Sequence, residues 1–259
     1  MVGDIEHEIK RSDIEIYTKV TGISTAQDTY EVFAPFDGRV EDTMPDIFDF
    51  VTPERPVLRL ITTEMAALLD ATTPEERKQT ERRWQDVYKY YDIKPESQGI
   101  ITNIYVQPKI KVNKGDRLFT VARKVMIIGK NTEPLYSRLA PGMTAEMIYA
   151  RDNAFKLSTT LANFMPVQGT PLYNHVWLET KDLRSGIKIG QRFNGYLFVG
   201  RSENTHLVPS NALIDRNGHK YLILEVETGL ATAEEIEILK SGTHYIIPER
   251  INGKDQKAK

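Results

Sequence analysis

Between Tyr30 and Val121 the chain carries one strand-turn-strand unit twice, with a helix-forming stretch between the copies. The first copy runs from Tyr30-Glu31-Val32-Phe33-Ala34-Pro35-Phe36-Asp37-Gly38-Arg39-Val40 to Val57-Leu58-Arg59-Leu60-Ile61. The second runs from Pro95-Glu96-Ser97-Gln98-Gly99-Ile100-Ile101 to Val112-Asn113-Lys114-Gly115-Asp116-Arg117-Leu118-Phe119-Thr120-Val121. Each opens on a polar turn that ends in glycine, where a residue without Cβ takes positive φ at little cost. Each then gives a short β-rich run and closes on alternating apolar residues. Half, helix, half is the order that narrows the fold.

Bulk properties exclude several function classes. A chain of 259 residues can bury a sizeable core without metals or disulfides. The absence of cysteine removes disulfides, thiolate catalysis and zinc-thiolate sites. A net charge of −2 offers no basic footprint for nucleic acid. No run approaches the roughly 18 apolar residues of a membrane-spanning helix. The start, Met1 to Arg11, is acidic and mixed, unlike a signal peptide, and taken literally it points to the cytoplasm.

Ser12 to Thr21 alternates apolar and polar residues as a strand does, and Gly22 punctuates it. Between the half-units, Thr62 to Asp70 fits two helical turns around Met65, Leu68 and Leu69. A longer helix is expected over 74–91. Thr73 is its N-cap, Pro74 takes its first position, Glu76 completes a capping box, and Asp92 marks its stop. Such a helix is about 27 Å long. Trp84, Val87, Tyr88 and Tyr91 then form one stripe, which either packs the helix onto the β-domain or docks a channel or second protomer. From Lys124 to about Thr205 the chain is strand-rich and punctuated by Gly and Pro, which suggests a compact β-barrel. Asn217-Gly218 is a hairpin turn pair, with strands expected over Lys220–Val226 and Glu234–Leu239. The tail from Asn252 is polar and reads as disordered.

Ala34-Pro35-Phe36-Asp37-Gly38 and Val112-Asn113-Lys114-Gly115-Asp116-Arg117-Leu118 resemble the "AP-x-DG" opening and "V-x-x-G-D-x-L" closing of periplasmic adaptor proteins, the HlyD or membrane fusion protein family. The first copy closes without Gly-Asp, and the second opens without Ala-Pro. Ile16 to Gly22 is similar to the family's strand lead-in, Leu183 to Phe193 to its barrel strand entry, and Leu207-Val208-Pro209-Ser210-Asn211-Ala212-Leu213 to its "VP-x-x-A-L" segment. The resemblance covers residues 12–250. It implies a mainly β chain with a split biotinyl-lipoyl-like domain, a short helical insertion, a β-barrel domain, and a membrane-proximal β-domain built from both termini. The expected boundaries are 1–29 and 206–250 for the membrane-proximal parts, 30–62 and 94–123 for the lipoyl halves, 63–93 for the helical hairpin, 124–205 for the barrel and 251–259 for the tail. The family's function would make the chain a periplasmic subunit of an efflux or secretion pump. Its partners would be an inner-membrane transporter, an outer-membrane channel of TolC type and further copies of itself in a ring. Such a protein is held at the inner membrane by an N-terminal anchor or lipid, which favours a truncated start in which Met1 stands in place of that signal. Trp84, Val87, Tyr88 and Tyr91 become candidate partner contacts, with Arg39 and Arg117 near the turns as candidate ring contacts.

The chain shows no enzyme pattern. His7, His175, His206, His219 and His244 are scattered, and there is no glycine-rich phosphate loop and no nucleophile elbow. No cofactor is expected. Two rivals belong to other classes. A cytoplasmic biotinyl or lipoyl carrier would need an acceptor lysine at the tip joining the halves, and Lys78 and Lys89 read there as solvated helix residues. A soluble metal-binding β protein could use Met143 and Met147, but their alternation makes them core filler.

Overall fold

The computed structural model describes residues 6–71, 73–76, 78, 89–232 and 235–246. Its elements are β1 (Glu6–Glu8), β2 (Lys10–Phe33), β3 (Gly38–Thr43), β4 (Phe50–Val51), β5 (Leu58–Thr62), α1 (Thr63–Ala71), β6 (Tyr91–Ile93), β7 (Gly99–Ile104), β8 (Lys111–Val112) and β9 (Arg117–Asn131). There follow β10 (Thr144–Tyr149), β11 (Asp152–Val167), β12 (Thr170–Thr180), β13 (Arg192–Leu207), β14 (Leu213–Arg216), β15 (His219–Ala231) and β16 (Ile236–Ile246). The chain divides into two units, residues 17–199 and residues 1–16 with 200–259. It is mainly β, as its turn-rich, β-branched sequence implied.

In the larger unit, the duplication is complete in three dimensions. The offset that carries Gly38 onto Gly99 carries the central ladder contacts of one half onto the other. β3 pairs with β5 (Arg39↔Ile61, Val40↔Leu60) and β7 with β9 (Ile100↔Ala122, Ile101↔Val121). Both pairs carry a bulge one residue later, at Glu41 and at Thr102. β4 of the first half pairs with β7 of the second, and β8 of the second with β3 of the first, in matching register. Phe48 N–H donates to Ile101 C=O at 2.8 Å, and its counterpart Lys109 N–H donates to Val40 C=O at 2.6 Å. Phe48 and Lys109 share the left-handed conformation, at φ 74° and 71°. The halves are interlocked about a local two-fold, around a core that includes Val40, Leu58, Leu60, Ile101, Leu118, Phe119 and Val121. The two sequence motifs meet there: Ala34 N–H donates to Asp116 C=O, Gly115 N–H to Ala34 C=O, and Lys114 N–H to the Asp37 carboxylate.

Gly38 and Gly99 are not in the positive-φ conformation expected from their turns. A Cβ on Gly38 would stand 2.2 Å from Ile61 O, and one on Gly99 would stand 2.4 Å from Ala122 O. Close backbone approach is what requires glycine at both. Gly22 does not end its strand either. β2 runs on through it, and a Cβ there would meet Ile128 O at 2.8 Å.

Beyond the halves, β9 and β2 continue into a barrel. The hydrogen-bonded order β12-β11-β10-β13-β2-β9 closes on itself through β9–β12 (Val176↔Gly129, Leu178↔Ile127), so these six strands leave no free edge. Alternate residues point inward and are buried: Val20, Ile127, Met147, Leu161, Val176, Leu178, Phe193 and Leu197 among them. Met147 is thus core filler, while half-buried Met143 precedes β10 and accepts Ala140 N–H through sulfur at 3.4 Å.

The smaller unit is a four-stranded sheet of order β1-β16-β15-β14, so strands from both chain ends are neighbours in it. Asn217 and Gly218 turn the β14–β15 hairpin at φ 53° and 81°, the type I′ geometry their sequence dictates. β16 continues through Ser241-Gly242 to Ile246, beyond the Leu239 end expected. The 251–259 tail lies outside the described residues.

Candidate partner-docking surface

α1 leaves the first half directly after β5. Thr62 caps it by accepting Met65 N–H at 3.2 Å, and Met65, Ala66 and Leu69 bury one face against Ile61. Arg39 fastens the far end. Its Nε lies 2.7 Å from Glu41, and one terminal nitrogen lies 2.8 and 2.9 Å from the two Asp70 oxygens at the end of α1. The hydrogen bond to Asp70 does most to raise the guanidinium's proton affinity; burial opposes it and Glu41 adds to it. Lys109 of the second half also contacts Glu41.

Arg39 is 8 % exposed, so it is an internal clamp and not the solvent-facing turn cation expected of a ring contact. Its counterpart in the second half is Ile100, which explains the placement: the position faces inward in both copies. Arg117 does face solvent, with its side chain 51 % exposed. It pairs with Glu31 at 3.2 Å and lies 5.2 Å from the Tyr105 ring centre. The Tyr105 phenol is drawn below its usual range by the Thr120 hydroxyl first and by Arg117 second.

The aromatic stripe is where the expectation and the structure part. Tyr91 is not on a helix. It opens β6, pairs with Leu60, and sets its ring edge-on to Phe36 at 4.8 Å. Asp92, expected as the helix stop, sits beside it in the same strand and pairs with Arg59 at 2.9 Å. Tyr91 is the two-fold counterpart of Tyr30, which pairs with Val121 and whose hydroxyl donates to Ser97 C=O at 2.9 Å. The signal was available in Tyr30-Glu31-Val32 and Tyr91-Asp92-Ile93, which match type for type at the duplication offset. Helical spacing from Trp84 concealed it. Trp84, Val87 and Tyr88, with most of the stretch expected as the 74–91 helix, lie outside the described residues. The capping box at its start is formed: Thr73 N–H donates to Glu76 at 3.0 Å and Glu76 N–H to the Thr73 hydroxyl at 3.4 Å.

Among the described residues no three His, Asp or Glu side chains converge as a metal site would require, and no helix is long and apolar enough to cross a membrane. His206 accepts from Arg11 Nε at 3.0 Å, and His244 lies 3.8 Å from Glu225. Lys89 lies outside any helix, its Nζ 5.7 Å from the Tyr91 ring centre. Several large apolar side chains stay exposed: Met44, Ile47, Tyr105 and Ile110 on equivalent loops of the two halves, and Leu230, Ile236, Ile238 and Leu239 on β15–β16 of the smaller unit.

No family model matches the sequence, and no curated protein sequence matches it. Solved structures do resemble it. MacA from Actinobacillus actinomycetemcomitans is 14 % identical, with 94 % of this chain and 99 % of that one covered at a TM-score of 0.46. A MacA-MexA chimera containing the Pseudomonas aeruginosa MexA α-hairpin domain is 15 % identical, covering 92 % and 98 % at 0.46. The periplasmic adaptor protein EmrA is 8 % identical, covering 71 % and 99 % at 0.45. Interlocked half-motifs, a helical insertion between them, a β-barrel and a sheet drawn from both chain ends are the parts that the motif resemblance implied.

Proposed function

We propose that this protein is a periplasmic adaptor subunit that joins an inner-membrane transporter to an outer-membrane channel through protein contacts. The observation that carries the reading is what has become of the tip between the lipoyl-like halves. A carrier needs a short, solvent-presented turn with an acceptor lysine. Here that position holds an inserted segment whose root is clamped by Arg39–Asp70 and by the Ile61–Met65–Ala66–Leu69 cluster. A fixed root suits a part that must present a distal surface in a set direction.

On this reading the inserted segment with Trp84, Val87 and Tyr88 meets a channel of TolC type. The exposed apolar residues of β15–β16 meet the transporter, since large apolar side chains left in water mark interaction sites where they cluster. Copies assemble as a ring with Arg117 and Tyr105 at their edges, and an N-terminal anchor or lipid holds them to the inner membrane. Arg39 takes no part in that ring contact.

Photoreactive residues at Trp84 and, separately, at Leu230 test the reading in the native host, with adducts identified by mass spectrometry. The expected adducts are an outer-membrane channel from the first and an inner-membrane transporter from the second. Adducts solely with cytoplasmic enzymes, or a biotinyl or lipoyl mass on the purified chain, would overturn it.

A further inference from the structure

The geometry points to a second site in the larger unit, a pocket for a phosphate-bearing anion between the loop after β3 and two turns of the barrel. A cavity of about 520 Å³ is lined there by Phe48, Tyr149, Arg151, Lys188, Ile189 and Arg192, together with uncharged neighbours. Its size falls within the range of small-molecule sites. Three cations line it and no carboxylate does, in a protein whose net charge is −2. None of the three takes part in an ion pair among the described residues, whereas Arg39, Arg59, Arg117, Arg123 and Lys124 all do. Positive charge concentrated in a concavity focuses field and raises the local concentration of anions.

The walls are fixed in advance. Ser24, almost fully buried in β2, holds the 188–191 loop from beneath: its hydroxyl donates to Lys188 C=O at 2.6 Å and accepts Gln191 N–H at 3.0 Å. Its backbone donates to Gln191 C=O at 2.9 Å and accepts from Gly190 N–H at 2.8 Å. The Gln191 side chain closes the loop by accepting Lys188 N–H at 2.8 Å. Ala150 N–H donates to Arg192 C=O at 2.9 Å, which ties the turn that carries Arg151 to the start of β13. Opposite, Phe48 is held at φ 74° by its bond to Ile101, so its ring is kept at the pocket. The pinned backbone needs no further ordering on binding, so the entropy given up is that of the three side chains alone. Two guanidiniums and an ammonium suit the oxygens of a phosphate, which arginine grips in pairs and lysine meets as a point charge. Phe48, Tyr149 and Ile189 offer an apolar wall to whatever bears the phosphate.

Calorimetric titration of the whole chain with inorganic pyrophosphate, and separately with dioctanoyl phosphatidate below its micelle concentration, tests the site. Saturable binding that weakens as salt rises is expected. Arg151→Gln and Arg192→Gln should each weaken it about tenfold, Arg192→Lys less, and Arg138→Gln, an exposed cation elsewhere, not at all. Equal affinity for the two probes identifies a free phosphate compound as the ligand class, and at least tenfold preference for phosphatidate identifies a lipid headgroup. Absence of saturable heat with both probes, or binding unchanged in folded Arg151→Gln/Arg192→Gln protein, overturns the proposal.

Discussion

Arg39 and Glu41 occupy positions that the second half gives to Ile100 and Thr102, so one copy of a repeated core carries an ion pair where the other has apolar and neutral side chains. Both ionic side chains are about 10 % exposed, whereas Asp70 is 67 % exposed. The Arg39–Asp70 bond therefore contributes less than its short distance suggests, and the buried partner is the one that matters. Arg39→Ala strands Glu41 with Lys109 alone and should cost about 3 kcal/mol. Asp70→Asn should cost no more than about 1 kcal/mol. The double change Arg39→Ile/Glu41→Thr copies the second half and should recover most of the loss, read as urea midpoints. Glu76 is a surface case with a pH signature. Its carboxyl is held below the usual glutamate range, first by the Thr73 N–H and then by the Thr73 hydroxyl. Its contribution is thus fully present above the ordinary glutamate value and fades as pH falls through the lowered one. Carboxyl carbon shifts followed through an acid titration should show the depressed midpoint, and Thr73→Ala should move it upward.

At the scale of elements, the interlocked halves depend on two close approaches of backbone. A methyl at Gly38 or Gly99 would meet a carbonyl oxygen that cannot move without breaking the ladder. Gly38→Ala and Gly99→Ala should each cost about 3 kcal/mol, in the range of severe core disruptions. Gly200→Ala, where a Cβ meets nothing within 4 Å, should be neutral or stabilising by a few tenths of a kcal/mol. Thermal midpoints of the three variants separate the cases. The motifs around Asp37-Gly38 and Gly115-Asp116 made the halves legible in sequence because turn chemistry is local. The cross-pairing of β4 with β7 and β8 with β3 was not, because two-residue strands carry no periodicity. Tyr91 was misplaced for a related reason: the first of three strand residues extends the helical spacing of the sequence before it by accident. Arg39 was misjudged because a charged residue after a turn glycine is ordinarily solvated, and nothing local reveals that the position is inward.

Taken whole, the two units differ in how much core each possesses. The larger one buries most of the apolar residues, while among the described residues of the smaller one only Ala212 and Tyr245 are buried apolar side chains. Local opening needs little free energy where few apolar contacts are lost. Amides of β15 and β16 should exchange with solvent at least about tenfold faster than those of β7 and β9, measured by native-state hydrogen exchange. A bound partner should slow the first set and leave the second unchanged. The local two-fold has a consequence for how the molecule can vary. Thr62, where the chain leaves for the insertion, and Arg123, where β9 runs on toward the barrel, are equivalent positions; so are Tyr91 and Tyr30, where it returns. The duplicated core is thus a junction with two identical ports, each an adjacent pair of outgoing and incoming strands. What is plugged into a port can lengthen, shorten or be exchanged without altering a single rung between the halves. A chimera that moves the insertion's sequence to the barrel port, or closes the insertion port with a two-residue turn, should still assemble the same core.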